Sequence, residues 1–127
     1  MNRELLSVAL VALGGALGSV ARYLLSTTVH RFVPPVFPYG TFAVNVAGCL
    51  LAGVLIARFE LHALESPAAR AFVFVGVLGG FTTFSALASD TFGLARSGHS
   101  LLAAINSGGQ VVVGLIALWA GYFVAAV

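Results

Sequence analysis

The chain predicts an all-α integral membrane domain of four transmembrane helices, on three observations. Hydrophobic residues make up 60% of it and charged residues only 8%, whereas soluble domains carry roughly 25% charged residues. The apolar residues gather into four runs of spanning length, at about 5–25, 40–57, 68–92 and 101–126. The segments between them are punctuated by proline, glycine or charge. With 127 residues in all, 1–127 reads as a single transmembrane domain.

Composition also removes function classes. The net charge of +2 comes from arginines alone, and they are scattered singly, so there is no nucleic-acid patch. Cys49 is the only cysteine and cannot form an internal disulfide. Arg3 before an apolar run resembles the start of a signal peptide, but the run is too long and ends in Arg22-Tyr23 rather than a small-residue cleavage site. The spans hold no nucleophile–base pair and no metal-ligand set, which argues against a membrane enzyme.

In the first span, residues 5–21 would cover roughly 26 Å at about 1.5 Å per residue, close to the ~30 Å hydrocarbon core. Gly14 and Gly18 share one face, where small residues let helix backbones approach. Arg22 reads either as an interfacial arginine snorkelling toward headgroups or as one turned inward, holding a helix or lining a vestibule. The first loop carries His30, Arg31, Pro34, Pro35 and Pro38, and the prolines forbid a continuous helix. His30 reads as a solvated loop residue, with no second ligand at metal spacing.

The second span holds Thr41 and Asn45, with Gly48 and Gly53 as close-packing positions. Asn45 is its only amide, placed for an interhelical hydrogen bond or for a pore. A loop from 58 to 70 follows, with Arg58, Glu60, His62, Glu65 and Arg70, and Ser66-Pro67 marks a helix start. The third span contains the least lipid-like stretch of the chain, Gly79-Gly80-Phe81-Thr82-Thr83-Phe84-Ser85. Adjacent glycines weaken a helix, and the hydroxyls compete for its backbone. The expectation is a helix broken near its middle, which survives at that depth only under cover of protein or in a wet cavity. Asp90 lies near the far end, as an interfacial carboxylate or a member of the site. A polar turn over 93–100 leads to the fourth span, where Asn106 and Gln110 are four apart and form one polar stripe. Trp119 and Tyr122 near its end suit an interface.

Four spans put both termini on one side. The terminal side with the second loop counts Arg3, Arg58 and Arg70; the other counts Arg22, Arg31 and Arg96. Equal numbers give the positive-inside rule nothing to choose, which points to insertion in both orientations and an antiparallel dimer.

Three ordered motifs, Gly14 to Tyr23 (GGALGSVARY), Gly40 to Gly48 (GTFAVNVAG) and Gly79 to Ser85 (GGFTTFS), resemble those of the fluoride channel family, also called Fluc or CrcB. The resemblance covers essentially the whole chain, in order and at the family's spacing. It implies a four-span subunit of an antiparallel, dual-topology dimer in the cell membrane, with two pores at the subunit interface that pass fluoride passively. It also implies a structural sodium ion at the dimer centre, held by the backbone carbonyls of Gly79 and Thr82 from both subunits. Phe84 matches the pore aromatic and Asn45 the pore asparagine, with Thr83 and Ser85 as further hydroxyl donors. A ring has a positive edge, useful because dehydrating even a carboxylate-sized ion costs of order 20 kcal/mol in the Born limit. The chain departs from the family at Leu87, where a second phenylalanine is usual, and at Asn106 and Gln110, where tyrosine and serine are usual. Asp90 keeps a common acidic position. The departures leave two assemblies open, a homodimer with an altered track or half of a heterodimer with a homologous subunit. The main rival is a dual-topology multidrug exporter, which needs a titratable carboxylate in the membrane; Asp90 is the sole candidate. A non-conducting assembly subunit would leave Asn45, Asn106 and Gln110 unexplained.

Overall fold

A computed structural model describes residues 2–61 and 66–127, and every element in them is helical. Helix α1 is Arg3–Phe32, α2 is Tyr39–Leu61, α3 covers residues 67–81, α4 is Phe84–Arg96 and α5 is Ser100–Ala126. Counting α3 and α4 as one crossing, four segments are long and apolar enough to span a bilayer. The chain is a multi-pass membrane protein. Its side-chain distribution is the reverse of a soluble domain's. Leu13, Leu17, Val20 and Leu24 face outward from α1, while the polar Asn106 and Gln110 are buried. Hydrocarbon solvates the first group and strands the second unless it is paired inside.

Several boundaries differ from those read off the sequence. At about 1.5 Å per residue, the 30 residues of α1 make a rod of roughly 45 Å, longer than the hydrocarbon core. The excess carries His30 and Arg31, which are helical rather than in a loop. Pro34 restricts only the residue before it, and Val33 is accordingly extended, with φ −128° and ψ 150°. Arg58 and Glu60 likewise belong to α2 rather than to the second loop. His62 and Glu65 lie outside the described residues. Ser66 does start a helix: its hydroxyl accepts from the Ala69 N–H at 3.4 Å, with Pro67 in the first turn. At the far end α4 continues past Gly93 to Arg96. One glycine weakens a helix by only about 1 kcal/mol; the stop comes at Gly98, whose φ of +84° suits glycine. There the Gly98 N–H reaches the Ala95 carbonyl and the His99 N–H the Leu94 carbonyl.

The helices associate as two tight pairs, α1 with α3 and α2 with α5. Both are zipped by glycine. A Cβ on Gly18 would lie 2.1 Å from the Val77 carbonyl oxygen, and one on Gly53 would lie 2.0 Å from that of Leu118. Lipid offers no hydrophobic drive to helix association, so backbone contact supplies van der Waals attraction instead.

The third crossing is the irregular one. It begins as α-helix over Pro67–Arg70, widens to a π-helix over Ala71–Leu78 and returns to α over Gly79–Phe81. The glycine pair therefore stays helical. The extended residues are the next two: Thr82 has φ −81° and ψ 158°, Thr83 φ −151° and ψ 111°. Glycine lowers helix propensity without forbidding helix, and Gly80 is needed for packing, since a Cβ there would lie 2.5 Å from the Gly15 carbonyl oxygen.

Candidate functional site

The interruption between α3 and α4 is closed off by threonine chemistry. The Thr82 N–H and its hydroxyl both donate to the Leu78 carbonyl, each at 3.0 Å, sealing the end of α3. The Thr83 hydroxyl accepts from the Ala86 N–H at 3.1 Å and so caps α4. In an unbroken helix the Thr83 and Ala86 N–H groups would close on the Gly79 and Thr82 carbonyls. Here they donate to Asn45 Oδ1 and Thr83 Oγ1 instead, so those two carbonyls are released from the ladder.

Helix α2 is shaped to receive the interruption. Asn45 and Gly48 share a face, three residues apart. Asn45 Oδ1 accepts from the Thr83 N–H at 2.8 Å while Asn45 Nδ2 donates to the Thr83 carbonyl at 3.0 Å. One side-chain amide thus pairs with both backbone groups of one residue, as a neighbouring strand would. Gly48 provides the socket below, since a Cβ there would lie 2.2 Å from the Thr82 methyl. Burying this backbone in hydrocarbon without partners would cost several kcal/mol per group.

Asn45 leads into a chain of amides. Its Nδ2 also donates to Gln110 Oε1 at 2.7 Å, Gln110 Nε2 to Asn106 Oδ1 at 2.8 Å, and Asn106 Nδ2 to Thr91 Oγ1 at 2.9 Å. The Thr91 hydroxyl ends the series on the Leu87 carbonyl at 2.7 Å. Thr83 has one N–H and one C=O, which allow a single orientation of Asn45, and each later amide follows from the one before. No buried side-chain nitrogen or oxygen among the described residues lacks a partner.

Beside this chain lies a cavity of about 260 Å³ lined by Asn45, Cys49, Thr82, Thr83, Phe84, Leu87, Gln110 and Val111. None of these is a carboxylate. Phe84 is 80% exposed at its edge. A second cavity, of about 570 Å³, opens near the α1–α2 and α4–α5 turns and includes His30, Thr41, Ser89, Asp90 and His99. Within it Asp90 Oδ2 accepts from the Thr41 hydroxyl at 2.7 Å.

The residues singled out by sequence thus divide. Asn45, Thr82, Thr83, Phe84, Leu87 and Gln110 meet around one cavity. Ser85 adjoins it through a 3.3 Å contact with the Thr83 hydroxyl, and the exposed Gly79 stands one turn before the interruption. Asn106 is fully buried and reaches the cavity only through Gln110. Thr41 and Asp90 belong to the second cavity, and half-buried Arg22 joins none of these bonds. Sequence reasoning passed over Thr91 and Cys49. Both had a signal: Cys49 stands four residues after Asn45, and Thr91 four after Leu87.

Comparison with known proteins agrees with this arrangement of motifs. A family model described as "CrcB-like protein, Camphor Resistance (CrcB)" matches residues 9–122. A relative from Flavobacterium psychrophilum, named "Fluoride-specific ion channel FluC", is 41% identical over 115 residues, covering 91% of this chain and 93% of that protein. Relatives of the same name from Nitrobacter winogradskyi and Geobacter metallireducens are 46% identical over 111 residues and 43% identical over 122. The first match covers 87% of this chain and 88% of the relative; the second covers 95% and 98%. Similarity of this depth runs through all four crossings and both sides of the interruption, and the chain belongs to the CrcB-like family.

Proposed function

We propose that this chain is one subunit of a fluoride-selective passive channel of the cell membrane, working as an antiparallel, dual-topology dimer with two pores at the subunit interface. Fluoride leaving the cytoplasm down its gradient is its cargo. The observation that carries the reading is the uncharged cavity at the α3–α4 interruption, mostly apolar with a few amide and hydroxyl groups in its wall and flanked by an exposed phenylalanine. Relatives over nearly the whole length are named for fluoride.

The chemistry of the cavity suits a small, strongly hydrated anion. Fluoride only accepts hydrogen bonds, and the wall offers an amide, hydroxyls and the edge of the Phe84 ring. With no carboxylate in the wall, the anion meets no fixed negative charge, and no acid is present to couple its movement to protons. Asp90, the one carboxylate that the multidrug-exporter reading needs, lines the other cavity with its oxygen bonded to Thr41. That observation favours a channel over the exporter.

A second subunit completes the wall. Gly79, Phe84 and Ser85 are all exposed in the single chain, and inversion of a partner would set two interruptions face to face. The Gly79 and Thr82 carbonyls, released from helical bonding, fit a hard cation such as sodium. Sodium there would hold the two interruptions together, which is a structural role. The partner is a second copy of this chain or a homologous subunit.

Purified protein in liposomes is expected to release fluoride, but not chloride, down its gradient once charge is compensated. No efflux at any protein-to-lipid ratio would refute the homodimeric channel; efflux restored only by a homologous second subunit would establish the heterodimer instead.

A further inference from the structure

The hydrogen-bond inventory around Asn45 raises a difficulty for any anion that enters the cavity. Both Asn45 N–H bonds are already taken, one by the Thr83 carbonyl and one by Gln110 Oε1. The Thr82 hydroxyl is committed to the Leu78 carbonyl, and the Thr83 N–H to Asn45 itself. The Thr83–Ser85 hydroxyl pair, in contact at 3.3 Å, keeps one O–H to give, but an acceptor-only ligand that is to bind Asn45 itself has to take that donor away from the protein. The bond to the Thr83 carbonyl is half of a two-point pairing that holds the interruption in place, so the exchangeable one is the bond to Gln110.

We propose that Gln110 is a specificity-determining residue: its amide oxygen occupies the second N–H of Asn45 at rest, and an anion gains that donor only by displacing it. This rests on the channel reading above and deepens it. The displacement has a built-in path. The terminal torsion of a glutamine is soft and two-fold, so the Gln110 amide can turn over and bring Nε2 to the side that Oε1 held. Oε1 then faces Asn106, which turns likewise and offers Nδ2. Asn106 Oδ1 in turn accepts from the Thr91 hydroxyl, which swings off the Leu87 carbonyl. Every amide group keeps a partner, and the Leu87 carbonyl, inside α4, retains its helical bond. The reversed chain aims two donors, Asn45 Nδ2 and Gln110 Nε2, at the ligand.

The amide oxygen at 2.7 Å thus acts as a threshold. A small anion of high charge density gains more from two N–H donors than the resting chain loses. A larger and weaker acceptor such as chloride does not, and Asn45 stays bonded to Gln110. The threshold depends on two amides, at 106 and 110, that relay one another's orientation.

The test follows the side-chain amide resonances of Asn45 and Gln110 by NMR in ¹⁵N-labelled protein in lipid nanodiscs, titrated with sodium fluoride or sodium chloride, alongside liposome efflux. In the unmodified chain both resonances should move together with fluoride and stay fixed with chloride. Gln110→Met keeps length and removes the competing oxygen together with the second donor, so the discrimination should be lost: chloride, which leaves Asn45 fixed in the unmodified chain, should now move its resonance. Gln110→Glu holds the donor more firmly, and fluoride should no longer move Asn45. An Asn45 resonance that chloride still leaves fixed in Gln110→Met overturns the proposal. Should that variant not fold, the unmodified chain decides, since a Gln110 resonance that stays fixed while Asn45 moves has the same meaning. Efflux without any shift at Asn45 overturns this inference alone, whereas absence of both efflux and shift removes the channel reading with it.

Discussion

Replacing Asn45 by leucine removes one side chain and strands three partners: the Thr83 N–H, the Thr83 carbonyl and Gln110 Oε1. Two scales bound the loss. Interhelical side-chain bonds in membranes average about 0.6 kcal/mol each, which gives roughly 2 kcal/mol for three. Orphaned buried polar groups cost ~1–3 kcal/mol each, which gives up to roughly 9 kcal/mol. The lower end should prevail, because the neighbouring cavity of about 260 Å³ is roomy enough for water to reach part of the stranded set. Asn45→Leu is therefore expected to lose about 2–3 kcal/mol. Asn45→Asp keeps the acceptor for the Thr83 N–H but turns a carboxylate oxygen toward the Thr83 carbonyl and Gln110 Oε1, so it should lose at least as much. Trp119 is the only tryptophan in the chain, so its fluorescence can follow unfolding in mixed micelles at rising denaturing detergent. A loss below ~0.5 kcal/mol for Asn45→Leu, within the scatter of ordinary surface changes, would refute the view that this amide clasps the interruption.

Three further outcomes are expected. Phe84→Ile should abolish fluoride efflux while the dimer still elutes intact by size exclusion; unchanged efflux would assign the ring to packing. Gly18→Ala places a methyl 2.1 Å from the Val77 oxygen and should cost at least the ~1–3 kcal/mol of an overpacked core. Gly15→Ala and Gly108→Ala, with nothing within 4 Å of the new Cβ, should be neutral or stabilising by up to ~1 kcal/mol, and the same unfolding assay compares them. Cys49 lines the cavity, so a small thiol-reactive reagent should block efflux, and Cys49→Ser should conduct and resist the reagent.

Much of the fold was legible because hydrocarbon imposes one rule: every backbone group must be satisfied within the crossing. Four apolar runs of the right length could hardly be anything but helices. The polar members of the site stood out for the same reason, since Asn45, Asn106 and Gln110 had no business facing lipid. Helix ends were less legible. His30 and Arg31 looked like loop residues because they are polar and close to prolines, yet a helix that has left the bilayer can carry polar side chains freely. The interruption was legible in kind but displaced by three residues. Glycine is read as a helix breaker from its propensity, while between membrane helices it is chiefly a spacer, and Gly80 serves against Gly15. The extended pair sits instead where two threonine hydroxyls can finish one helix and cap the next. Partner choice within the amide chain was beyond sequence, because it depends on which faces of α2 and α5 meet.

Leu87 gains a different meaning from this geometry. Its substitution for an aromatic ring looked like a loss from the fluoride path. In the fold its side chain is 9% exposed and lines the cavity, while its carbonyl anchors the far end of the amide chain through Thr91. A ring and an amide offer an anion different things. The ring presents a weak, fixed positive edge, whereas an amide presents a stronger donor that must first be released from another acceptor. On the proposed channel reading, Leu87 offers an anion no ring edge, and the amide of Gln110 makes it compete for a hydrogen bond. The Thr91 bond reaches the Leu87 carbonyl, which any residue at 87 would supply, so the side chains at 87 and 110 are coupled through the cavity wall they share, and Leu87→Phe tests that coupling. Replacing Leu87 alone should crowd the cavity against Gln110 and reduce efflux, by ~1–3 kcal/mol of overpacking expressed at the site. Efflux equal to that of the unmodified chain would show that positions 87 and 110 act independently.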